Sequence, residues 1–103
     1  MDPTDQLERL HEAGFTFETF ERYPRAVGAM REQCIALLEM TPTGLRMIGT
    51  PGWRMGEVMG VLVEKDGRKV FQAKGEIIEA TPERLESLAR FRADLERALL
   101  PQT

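Results

Sequence analysis

The 103-residue sequence has no asparagine and only one each of cysteine, histidine, serine, tryptophan and tyrosine. Each scarcity excludes something. Cys34 alone can form neither an internal disulfide nor a cysteine-rich zinc site, and a single thiol fits the reducing cytoplasm. His11, Cys34 and Ser87 lie far apart in sequence with no motif around any of them, so no nucleophile and base can be paired and a non-enzymatic role is expected. His11 reads as a solvated surface histidine among Glu8, Arg9 and Glu12, and Cys34 as a small core hydrophobe. Long apolar runs are also missing. None approaches the ~20 residues that cross a bilayer, and the opening Met1-Asp2-Pro3-Thr4-Asp5 is acidic where a signal peptide is basic and then apolar. The expectation is a cytoplasmic protein without a membrane partner.

Clustered positive charge is the next absence. The net charge is −3, and residues 1–24 carry six acids against Arg9 and Arg22. Downstream, acids and bases nearly cancel, so no stretch offers the basic footprint that phosphate contacts need, and the charge argues against a nucleic-acid partner. Metal ligands are equally sparse: Glu76, Glu79 and Glu83 are the nearest approach to a cluster and read as a solvated edge. Gly49-Thr50-Pro51-Gly52 matches neither dinucleotide nor P-loop spacing, so no cofactor is expected.

What is present is enough apolar material, 42% of residues, for a core of one domain spanning 1–103. The pattern predicts an α+β fold: an antiparallel β-meander of 3–5 strands, with N-terminal helices and a C-terminal helix packed on it. Asp2 as cap, Pro3 at the first position and Gly14 as terminator predict a helix over 3–13. Phe15 to Phe20 alternates like a strand, yet Phe17, Phe20 and Tyr23 fit helical spacing, which favours a short helix ended by Pro24. Residues 25–40 divide evenly. Val27, Met30, Cys34 and Leu37 recur at helical intervals, whereas Gly28 costs about 1 kcal/mol inside a helix and Cys34 to Leu38 reads as a buried strand. If that strand forms, a hairpin over Thr41-Pro42-Thr43-Gly44 sets Glu39 opposite Arg46 and Leu38 opposite Met47.

Beyond Leu45 the signals sharpen. A strand over 45–48 is broken by Thr50-Pro51-Gly52, which leaves Trp53-Arg54-Met55-Gly56 as a loop or bulge. Asp66-Gly67 suits a type I′ turn and sets Glu64 opposite Lys69, Val63 opposite Val70 and Leu62 opposite Phe71. Val63 and Leu62 then occupy opposite sheet faces, so the hairpin needs cover on both sides, from helices or a second subunit. Thr81 as cap, Pro82 behind it and an apolar stripe through Leu85, Leu88, Phe91 or Arg92, Leu95 and Leu99 predict a final helix that Pro101 stops.

The segment from Gly49 to Gly56 is the candidate contact site, because Trp53, Arg54 and Met55 are residue types enriched at interfaces and the glycines let the backbone present them. Trp53 is equally suited to plug a core edge. Tyr23, Arg46 and Arg54, together with Arg25, are the residues that would join Trp53 around a small anionic or planar ligand. The expected function is therefore a non-catalytic binding or assembly module that forms a homodimer. The competing reading is a winged-helix DNA-binding protein, with helices at 17–23 and 25–39 ahead of the Asp66-Gly67 wing. A small enzyme acting through His11 or Cys34 is the third.

Overall fold

The computed structural model describes residues 3–21, 23–56 and 58–99. Helix α1 (Pro3–Glu12) leads into strands β1 (Thr16–Phe20), β2 (Tyr23–Arg31), β3 (Cys34–Thr41), β4 (Gly44–Met55), β5 (Val58–Lys65), β6 (Arg68–Ala73) and β7 (Glu76–Glu79), and helix α2 (Pro82–Leu99) follows. The strands pair antiparallel in chain order, forming one curled sheet with both helices packed on its inner face. This corrects the expected meander of 3–5 strands with several N-terminal helices: among the described residues there are seven strands, with one helix before them. The helices at 17–23 and 25–39 that a winged-helix fold requires are strands β1, β2 and β3.

The reason lies in the turns. Arg31 pairs with Cys34, so residues 25–40 fold back through a two-residue loop in which Glu32 and Gln33 both adopt positive φ, 50° and 74°. These are type I′ angles, and neither residue is of a type that advertises them. Two-residue connections recur at Thr41↔Gly44, Lys65↔Arg68 and Ala73↔Glu76. The registers expected around Thr41 to Gly44 and Asp66-Gly67 are those observed, including Glu39↔Arg46, Leu38↔Met47, Glu64↔Lys69 and Leu62↔Phe71.

Strand β4 runs through the segment read as a break. Between Ile35↔Gly52 and Leu37↔Ile48 it carries two more residues than β3, and the excess is accommodated at Gly49, whose φ is +65°, and at buried Pro51. A proline has no amide to donate, so a bulge is where a sheet tolerates it. Because the excess is even, side-chain alternation survives and Trp53 and Met55 return to the inner face. The expected loop at Trp53-Arg54-Met55 is thus the second half of a strand.

The curl has a local origin where β4 meets β5. Strand β5 pairs with β4 only through Val58, Met59 and Gly60, then with β6 from Val61 onward. At this corner a Cβ on Gly52 would sit 2.3 Å from the Gly60 carbonyl oxygen, and one on Gly60 would meet Met55 Sδ at 2.4 Å. Glycine at both positions is what lets the two backbones approach.

The core fills the inner face. Leu10 of α1 and Leu88, Phe91 and Leu95 of α2 bury against Ala29, Ala36, Leu38, Leu45 and Phe71 of the sheet. Helix α2 starts as its sequence predicts: the Arg84 amide donates to Thr81 Oγ1 at 3.3 Å, with Pro82 at the first helical position. Helix α1 matches expectation over Pro3–Glu12, and Gly14 at φ +92° ends its turn. The predicted cap Asp2 and stop Pro101 lie outside the described residues. Two polar devices, invisible to periodicity, tie the helices down. Buried Gln6 donates from Nε2 to the Leu99 carbonyl at 3.1 Å and accepts the Leu45 amide at 2.7 Å. Arg31 pairs with Asp94 at 2.7 Å, donates to the Ala13 carbonyl and lies 4.6 Å over the Phe15 ring, and its guanidinium holds the Asp94 carboxyl below the usual carboxylate range.

Candidate functional site

Alternation along each strand sorts the sheet into two faces. One, carrying Val27, Ala29, Cys34, Leu38, Met47, Trp53, Leu62 and Phe71, belongs to the helix-covered core. The other carries Met30, Ile35, Leu37, Ile48, Met59, Val61, Val63, Val70 and Ile77, with no helix over it. Ile35 and Val70 are buried by their own neighbours on this outer face. Around Ile35, Met59 lies over Gly52, and Arg54 Nη1 lies 3.0 Å from Met30 Sδ. Part of the outer face stays open to solvent, from β4 to the edge strand β7: Ile48, Val61 and Ile77 are 38%, 48% and 45% exposed, with exposed Gln72 in register between the last two.

Ion pairs border this apolar area. Arg46 meets its register partner Glu39 at 2.6 Å and Arg54 reaches across the sheet to Glu18 at 3.0 Å, pairs worth at most about 1 kcal/mol at such exposure. Arg54 is further held by its Nε donating to the Gly56 carbonyl at 2.9 Å. Arg46 and Arg54 stand eight positions apart on β4, but the two-residue excess makes that six positions of β3, a separation of roughly 20 Å at strand rise. Tyr23 lies at the start of β2, toward the Arg46 end of the sheet and away from Arg54, paired with Phe20 and 46% exposed. Trp53 points the other way, into the core edge: its ring stacks on Phe71 at 5.4 Å and 24°, with the Arg84 guanidinium 5.9 Å above it. Met55 is buried beside it in the same cluster. Four of the five residues named from sequence therefore divide between two faces, with Arg46 and Arg54 on the outer one and Trp53 and Met55 on the inner, while Tyr23 stands apart at the start of β2.

The outer-face residues that sequence reading passed over are Leu37, Ile48, Met59 and Ile77. Their signal was available once residues 34–40 are taken as a strand, since Leu38↔Met47 pointing inward forces Leu37↔Ile48 outward.

The groups of chemical interest are dispersed. Among the described residues no three metal-ligating side chains cluster. Cys34 is buried in register with Trp53, and burial first, then the charge of Glu32, pushes its thiol up to about 11 against the opposing pull of Arg31. Since the thiolate is the reacting form, Cys34 should resist alkylation by iodoacetamide at pH 8 in the folded protein and react fully in denaturant. Stoichiometric labelling under native conditions, read by mass spectrometry, is the contrary result. No helix in the described residues is long and apolar enough to cross a membrane. Comparison with family models, with curated proteins and with solved structures returns no match for this chain.

Proposed function

We propose that the protein is a non-catalytic assembly module of the cytoplasm that works as a homodimer through the outer face of its sheet. The observation that carries this reading is the exposure of Ile48, Val61 and Ile77 on one face that no helix covers. A second copy suits the face in size. The molecule measures 43 × 28 × 19 Å, so a broad side offers roughly 1,000 Å², against the ~800 Å² per partner of a standard interface. The Glu39–Arg46 and Glu18–Arg54 pairs would form its polar rim. Association by strand addition is blunted, because β7 is four residues with a glutamate at each end and β1 is five residues with an irregularity at Thr19/Phe20. The free buried thiol supports the cytoplasmic assignment.

Sedimentation equilibrium at micromolar concentration should return twice the 11.7 kDa chain mass. Val61→Asp, at a position already 48% exposed, should yield a folded monomer with an unchanged far-ultraviolet circular dichroism spectrum. A wild-type mass of 11.7 kDa overturns the reading.

A further inference from the structure

The inner face is not covered to its end. Helix α1 closes over Leu10 and Phe15, but β1, β2 and β3 run on past it toward Tyr23 and Thr41. There Leu7 of the helix and Phe17, Pro24, Val27 and Met40 of the strands enclose a groove of about 390 Å³. That is within the roughly 300–1,000 Å³ typical of small-molecule sites. Met40 leaves 59% of its surface bare, an unusual state for a large apolar side chain on the face that elsewhere forms the core. Arg25 also lines this groove, and among the described residues it makes no ion pair. Three other arginines of the sheet are engaged: Arg31 with Asp94, Arg46 with Glu39 and Arg54 with Glu18.

Charge is distributed along the cavity with one polarity. Beyond the shared Leu7 and Phe17, the space continues into a shallower hollow of about 330 Å³ bordered by Glu8, Glu12 and His11. An anionic group is repelled from that end and attracted to the Arg25 end, while the stretch between is mainly apolar, with Thr19 the one polar side chain of the groove besides Arg25. We propose that this groove binds a small amphipathic organic anion, its acyl or aryl body lying over Val27 and Met40 and its carboxylate at the Arg25 guanidinium. The site is on the sheet face opposite the proposed dimer contact, so it stands or falls independently of it.

Decanoate titrated into the full chain, followed by methyl chemical shifts, provides the test. Saturable shifts at Met40, Val27 and Leu7, with Val61 and Ile77 unmoved, are expected. Arg25→Gln should weaken decanoate about threefold and leave decanol, which has the same chain without the charge, unaffected. Val27→Asp should abolish binding of both probes. Shifts centred on Ile48, Val61 and Ile77, equal affinity of Arg25→Gln for decanoate, or decanoate binding that halves the sedimenting mass would each overturn the proposal, the last by assigning the groove to a second copy. The absence of saturable shifts at millimolar decanoate overturns it as well.

Discussion

Gly52→Ala is expected to cost on the order of 3 kcal/mol, a large share of the roughly 5–15 kcal/mol that stabilises a domain of this kind. The added methyl would meet the Gly60 carbonyl oxygen at 2.3 Å, and that partner is backbone, so no side chain can swing away to relieve it. Separating β4 from β5 at this point breaks the pairing of Trp53 with Gly60 and opens the corner that curls the sheet around α2. Gly49→Ala is the internal control. Nothing lies within 4 Å of a Cβ there, and the only penalty is holding a φ of +65°, about 1 kcal/mol. Denaturant unfolding read by circular dichroism should rank the two variants in that order by a margin of about 2 kcal/mol. Equal losses would show that conformation rather than close approach selects glycine at the corner.

The second large effect concerns Trp53. Removing its ring strips one side from buried Phe71 and leaves a void beneath the Arg84 guanidinium, so Trp53→Ala should lose about 3–5 kcal/mol. The size of the loss separates the two roles that a tryptophan on such a segment can have. A core-edge residue destabilises the fold by the same amount at every protein concentration. A contact residue leaves the isolated chain nearly intact and weakens only the associated form. Circular dichroism melts at two concentrations tenfold apart, with and without the Val61→Asp background, should give one concentration-independent drop. A loss below about 1 kcal/mol that vanishes in the monomeric background would return Trp53 to the interface.

Asp66-Gly67 and the final helix were legible because local chemistry alone decides them. Positive φ is easy for Asp and Gly, which sets the turn at φ 51° and 78° and with it the register of β5 against β6. Thr81 followed by Pro82 caps a helix whatever surrounds it. The stretch from Phe20 to Leu37 was illegible for an equally local reason. Its apolar residues recur at three and four, yet they lie on strands with both faces apolar, where alternation disappears and period no longer distinguishes strand from helix. Gly28, which spoke against the helix, has its own tertiary cause: the Phe20 ring lies where a Cβ would be, 2.5 Å from Cε2.

Amino-acid order therefore settled, unaided, the elements whose ends are set by neighbouring residues: α1, α2 and the Asp66-Gly67 hairpin; the Glu39↔Arg46 register followed from sequence only once 34–40 was a strand. The remaining structure was decided by contacts between residues distant in the chain. Glu32 and Gln33 take left-handed angles because β2 and β3 must pair, and no side chain at that turn prefers it. Trp53 faces inward because the two-residue excess in β4 is even, a count that exists only relative to β3. The division of Arg46, Arg54, Trp53 and Met55 between opposite faces follows from the same register. Hydrophobic burial rewards any arrangement that hides these side chains equally, and pairing geometry, which reaches across dozens of residues, selects among them.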